Sequence, residues 1–216
     1  MRYIIMCGGQ YPKWETPRQL THICGEPVVA RTIRILREAG VEDIAISASD
    51  SRFEDFDVPV LKHPNGFVAT KDGGGSWVDA FWPTEDPVCY MMGDVVFSPY
   101  AIRRIVETQT DSIQFFASSY PFSGSYIKQH AEPFAFKVVD QKRFREAIDF
   151  VRRNERTGIF IRRPIAWELW QVINHEDVRM INFDNYIAIN DYTCDIDTPE
   201  DAAKIESAIR REESDG

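Results

Sequence analysis

Three aspartates in this chain are suited to holding a hard divalent cation. Asp195 and Asp197 are separated by one residue, so on extended chain both carboxylates point the same way. Their mutual repulsion is costly unless a cation lies between them. Asp94 follows the apolar run VCYMM (residues 88–92) and Gly93. A carboxylate at a strand tip can take magnesium and still leave room for substrate phosphates. Plainer roles compete: Asp94 as a turn residue, and Asp195 and Asp197 as acids favouring the positive N-terminus of the last helix.

Glycines mark two further places. Gly8-Gly9-Gln10 could present backbone N–H groups to a phosphate chain, because glycine permits close approach; Lys13 and Arg18 follow as cations. Taken alone, an ordinary turn explains the same residues. Gly73-Gly74-Gly75-Ser76 is the second mark. The chain has no G-x-x-x-x-G-K-[ST] loop, no G-x-G-x-x-G fingerprint and no G-x-S-x-G elbow. His22, His63, His130 and His175 lack metal-ligand spacing, and Cys7, Cys24, Cys89 and Cys194 form no CxxC pair. Buried, reduced thiols are the simplest reading of the four cysteines.

The elements that must position these groups alternate. RYIIMC (2–7) is a short apolar run stopped by glycine, which reads as a buried strand. After Gly25-Glu26-Pro27, the spacing of Val29, Ile33 and Leu36 predicts a helix ended by Gly40. Ile44 to Ala48 predicts the next strand, completing a βαβ unit. Further strands are expected at Val58–Leu61, 88–92, 113–118 and 134–139. Helices are expected at Trp77–Phe81, after Ser98-Pro99, over 142–153, around Trp167 and Trp170, and after Thr198-Pro199-Glu200-Asp201, a capping-box pattern. Residues 120–132 read as an irregular insertion. The fold class expected is α/β: a single Rossmann-like domain with a mostly parallel central sheet flanked by helices. In such sheets ligands bind at the carboxyl ends of the strands, where these marks fall.

Composition narrows the function classes. Of 216 residues, 44% are hydrophobic and 27% charged, as in ordinary globular proteins, so disorder as the main state is excluded. With 25 basic and 34 acidic residues the formal charge is −9, which disfavours phosphate polymers and general nucleic-acid binding. No apolar run approaches a membrane span. The N-terminus reads as that of an unprocessed cytoplasmic protein.

The order of these pieces resembles the nucleotidyltransferases of the glycosyltransferase-A-like fold (the nucleotide-diphospho-sugar transferase type). The matching blocks are CGG, PRQL, GEPVVARTIRILREAGVEDIAIS, MMGDVVFSP and CDIDTPEDAAKI; the last resembles the closing block of cytidylyltransferases. The resemblance implies transfer of a nucleoside monophosphate to a small phosphorylated acceptor, such as a sugar phosphate in sugar nucleotide biosynthesis, with magnesium and release of pyrophosphate. It tilts the base toward CTP. Residues 1–112 would be the nucleotide-binding half, 113–190 the acceptor region, and 191–216 the metal aspartates and closing helix.

By position, the resemblance assigns nucleotide binding to Cys7, Gly8, Gly9, Gln10, Arg18, Gly73, Gly74, Gly75 and Ser76. It assigns the metal to Asp94, Asp195 and Asp197, and catalysis to Lys13, Arg18 and Asp94. Arg18 stands where the family carries a lysine, and Lys13 takes the place of an earlier cation. Candidates for the acceptor are Tyr126, Lys128, Lys137, Trp167 and Trp170, with Arg162 and Arg163 as second choices. For the two tryptophans a core role competes with that of an aromatic wall, and for the cations a solvated surface role competes. The partners implied are a nucleoside triphosphate and a small phosphoester, neither nucleic acid nor membrane, with a homodimer left open. A nucleotide-sugar glycosyltransferase would usually carry Asp-x-Asp where this chain reads Gly-Asp-Val-Val; a non-catalytic nucleotide-binding homologue is the other alternative.

Overall fold

The first apolar run is an interior strand. β1 (Arg2–Met6) has neighbours on both sides, and Tyr3, Ile4 and Ile5 are all buried, as a run without alternation requires. The structure, a computed structural model, describes residues 1–8, 14–62, 75–119 and 131–215. A 3-10 turn (Arg18–Leu20) leads into a small antiparallel ribbon of β2 (His22–Ile23) and β3 (Glu26–Pro27). α1 (Val28–Glu38) buries Val29, Ile33 and Leu36. It stops at Gly40, whose φ of +82° is the left-handed conformation glycine adopts without strain. β4 (Ile44–Ala48) pairs parallel with β1, closing the expected βαβ unit, and β5 (Val60–Lys62) pairs parallel with β4. β5 starts two residues later than the sequence suggests.

The segment expected as a helix at Trp77–Phe81 is a 3-10 turn, Trp77–Ala80. Phe81 ends it in an extended conformation and packs edge-on against Tyr90, Phe136 and Phe144. Asp79 N donates to Ser76 O at 3.0 Å and Phe81 N to Val78 O at 3.3 Å, so a 3-10 turn and the aromatic packing of Phe81 together fix this stretch. β6 (Val88–Met92) pairs parallel with β1, and β7 (Val95–Val96) follows. α2 (Pro99–Glu107) starts as its sequence predicts: Ser98 Oγ accepts from Ala101 N at 2.8 Å, with proline in the first turn. Then come β8 (Ile113–Ser118), β9 (Pro133–Val138), α3 (Gln141–Asn154), α4 (Ala166–Ile173), β10 (Ile187–Ile189), β11 (Cys194–Asp195) and α5 (Pro199–Asp215).

The main sheet has the order β10-β8-β9-β6-β1-β4-β5. β9 runs antiparallel to both its neighbours, and the remaining pairings are parallel. A second, smaller core lies under α5, where Ile205 and Ile209 pack with Val96, Cys194 and Ile196. That packing seats β11 antiparallel to β7. Among the described residues no helix is long and apolar enough to cross a membrane.

Gly93 is a point of close approach between β6 and β1. Its N–H donates to Met6 O at 3.1 Å, and a Cβ built there would lie 2.4 Å from that oxygen. Gly93→Ala is therefore expected to destabilise the protein by about 2 kcal/mol, or roughly 4–8 °C in melting temperature. Thermal unfolding followed by circular dichroism checks this; an unchanged midpoint would contradict the close approach.

Candidate active site

Parallel strands end together at one edge of the sheet, and the antiparallel β9 begins there. Gly8 leaves β1 at this edge, and Gly93-Asp94 leaves β6 beside it. Asp94 O accepts from Ile196 N at 3.0 Å, next to the β7–β11 pair. Asp197 is thereby brought to the place where β6 ends.

Arg18 joins the two acids. Its Nη2 donates to Asp94 Oδ2 at 2.5 Å, and its Nη1 donates to Asp197 Oδ1 at 2.5 Å and to Ile196 O at 2.7 Å. Arg18 is 3% exposed, whereas the Asp197 side chain is 48% exposed, so the bridge runs from the interior to the rim. Charge-assisted bonds to a planar fork fix direction as well as distance. Trp14 adds a hydrogen bond from Nε1 to Asp197 O at 3.2 Å.

Asp195 and Asp197 share their side of the site with Glu132. One ligand oxygen from each lies within 4.8 Å of the others. Pairwise repulsion between full charges at that distance is about 3 kcal/mol at an effective dielectric near 20. The donors are hard oxygens, the kind magnesium takes. Glu132 reaches this edge because β9 is antiparallel: the residue just before it falls where the parallel strands finish. Ser118 N donates to Glu132 O at 2.9 Å, and Glu132 N donates to Ser118 Oγ at 2.8 Å, tying it to the end of β8. No sequence mark singles Glu132 out, since it falls at the end of the stretch expected to be an insertion; the strand's direction identifies it.

Thr198 caps α5, its Oγ1 accepting from Asp201 N at 3.3 Å, and Asp201 Oδ2 completes the box by accepting from Thr198 N at 2.9 Å and from Asp197 N at 3.1 Å. The Asp197 carboxylate accepts from Arg18. Cys7 is buried beside Gly93 with its thiol pKa pushed well up, first by burial and then by the Asp94 carboxylate. It is a neutral, packed side chain at the site wall. Ser76 is buried at the start of the 3-10 turn, its N–H donating to Asp79 Oδ2 at 3.1 Å, and Gly75 O accepts from Arg163 Nη2 at 3.1 Å. Gly9, Gln10, Lys13, Gly73, Gly74, Tyr126 and Lys128 lie outside the described residues.

Three acceptor candidates are placed elsewhere. Lys137 is 5% exposed and lies near the opposite edge of the sheet, paired in register with Cys89. Its Nζ donates to Ile105 O, Val106 O and Thr108 O at 3.0, 2.9 and 2.7 Å, closing the C-terminal end of α2. Burial lowers its pKa. Trp167 and Trp170 are core residues packed on Phe115, so they form no wall for a ligand. The indole of Trp167 instead donates to Ala131 O at 3.1 Å, which anchors the residue before Glu132. Arg162 is bound to the buried Glu168 at 2.6 Å.

A family model described as a MobA-like NTP transferase domain matches residues 3–166. A Bacillus anthracis protein assigned as a glucose-1-phosphate thymidylyltransferase and crystallised with sucrose is similar in structure. It has a TM-score of 0.59 at 15% identity, over 97% of this chain and 95% of that one. The 4-diphosphocytidyl-2C-methyl-D-erythritol synthase of Anaerococcus prevotii DSM 20548 superposes with a TM-score of 0.59 at 11% identity, over 97% and 96% of the two chains. These likenesses speak to the fold. No curated protein sequence matches the chain.

Two measurements check this description of the site and its surroundings. Iodoacetamide at neutral pH should alkylate the exposed Cys24 and spare Cys7, Cys89 and Cys194, which are buried. Peptide mass spectrometry reads the outcome, and ready modification of Cys7 would contradict its burial. Lys137→Met should cost about 1–3 kcal/mol of stability by leaving carbonyls without their donor. It should leave the binding of phosphorylated ligands unchanged; a selective loss of that binding would contradict the placement of Lys137.

Proposed function

The chain belongs to the MobA-like NTP transferase domain family, and on that footing we propose that it transfers a nucleoside monophosphate from a nucleoside triphosphate to a small phosphorylated acceptor, releasing pyrophosphate. The observation that carries this reading is the meeting of Asp94, Arg18 and Asp197 at the strand-end edge, with Asp195 and Glu132 beside them. Such a reaction asks little covalent work of a protein. It needs the acceptor oxygen aligned with the α-phosphorus and opposite charge where negative charge accumulates.

The carboxylates fit a divalent ion. Asp195, Asp197 and Glu132 offer hard oxygens from three directions, and Asp94 borders them through Arg18. When bound, magnesium would supply neutralising charge to the triphosphate. The chain's own part is to hold the acids converged and to offer backbone donors. Cys7, Gly8, Gly9 and Gln10, with Lys13, would border the phosphates, and Gly73 to Ser76 the base and ribose. Tyr126 and Lys128 are the acceptor-side residues to test first. A sugar phosphate is the acceptor class favoured, in keeping with the assigned activity of the Bacillus anthracis neighbour. CTP is the first triphosphate to try, because CDIDTPEDAAKI resembles the cytidylyltransferase closing block.

Pyrophosphate release should appear with magnesium, one of the four nucleoside triphosphates and a member of a sugar-phosphate panel. Asp197→Asn should lower turnover by about 100-fold or more, the scale of losing one preorganised electrostatic contact. No release with any triphosphate, together with no nucleotide binding by calorimetry, would contradict the proposal.

A further inference from the structure

Arg18 occupies the position at which the family resemblance expects a phosphate-binding cation, yet three of its bonds end on protein oxygens. The side chain is 4% exposed. Both hydrogens of Nη1 are used, one on Ile196 O and one on Asp197 Oδ1, and Nη2 holds Asp94 Oδ2. Its backbone is equally fixed: Thr21 N donates to Arg18 O at 3.0 Å, and the neighbouring Gln19 is buried. The side chain is too buried to meet a phosphate where it lies, and moving it outward would strain its bonds to two charged partners and a carbonyl. Abandoning a buried charge pair is among the more costly changes a side chain can make.

The acids it joins come from separate parts of the fold. Asp94 follows β6 and Asp197 follows β11. Asp195 and Glu132 add further negative charge next to Asp197. Without a cation among them, these groups would separate.

We propose that Arg18 is a positioning residue, the resident counter-ion of Asp94 and Asp197, which keeps the two carboxylates converged before any divalent ion arrives and does not bind the triphosphate. This rests on the transferase reading for its use in catalysis, but the bridge itself does not. A guanidinium suits the task because its planar fork meets two carboxylates at fixed angles. A lysine ammonium is a point charge on a flexible stem and cannot impose that geometry. The arginine at this position is then a gain in preorganisation rather than a weakened copy of a lysine.

The test compares wild type, Arg18→Gln and Arg18→Lys with two readouts. In EDTA, Arg18→Gln should melt about 10 °C below wild type, as expected for carboxylates left without their buried partner. Millimolar Mn2+ should recover at least half of that drop, because an added cation takes over the counter-charge, whereas wild type should gain less than half as much. Arg18→Lys should fall between them, and it carries the same comparison if Arg18→Gln does not fold. The second readout is calorimetric binding of inorganic tripolyphosphate in EDTA, which should change by no more than about twofold between wild type and variant. A tenfold or greater loss would make Arg18 a phosphate ligand and overturn the proposal. So would a variant that Mn2+ rescues no better than wild type. A wild-type protein that released no pyrophosphate with any triphosphate would end the transferase reading and leave the melting comparison standing.

Discussion

Four carboxyl groups gathered at one edge of a sheet need positive charge, and one buried guanidinium bonds to two of them. Arg18 bonds to Asp94 on one side and Asp197 on the other, with Ile196 O between. Much of the local architecture serves that meeting. The β7–β11 pair brings residues 194–197 alongside residues 94–96. The smaller core under α5 holds that pair in place by burying Val96, Cys194 and Ile196. Thr198 and Asp201 share the capping box of α5, and Asp201 also holds the Asp197 N–H, while the Asp197 carboxylate meets Arg18.

Within the main sheet, the antiparallel direction of β9 has a consequence for the candidate site. Parallel strands deliver their following loops to one edge, and an antiparallel strand delivers its preceding residue to the same edge. Glu132 arrives that way. Two neighbours hold it there: Ser118 at the end of β8, and Trp167, whose indole fixes Ala131. The tryptophan therefore contributes to the site from inside the core. Gly93 works in a similar indirect fashion. It lets the end of β6 lie against Met6, so that Asp94 emerges beside the end of β1.

The fold was legible where one local signal decides an element. Continuous apolar runs marked β1 and β6, Ser98-Pro99 marked the start of α2, and Thr198 to Asp201 marked that of α5. The short strands β7, β10 and β11 left no trace, because pairing across the fold creates them and no local pattern does. At the candidate site, the sequence singles out Asp94, Asp195, Asp197 and Arg18 but not the bonds from Arg18 to Asp94 and Asp197. Charge type is visible in a sequence, whereas the partner is a property of the folded chain. Lys137 shows the converse error: a lysine in the variable region looked available, and its ammonium proved to close a helix at the far edge. For Trp167 and Trp170 the sequence favours a core role over a ligand wall, and both pack in the core on Phe115.

The most direct measurement is a crystal structure of the protein soaked with Mn2+ and a non-hydrolysable nucleoside triphosphate, read by anomalous scattering. The account predicts a manganese peak against Asp197, with Asp195 or Glu132 as a further ligand, the phosphates beside Gly8, and Arg18 still bridging Asp94 to Asp197. A metal bound far from this edge, or an Arg18 side chain turned onto the phosphates, would contradict it.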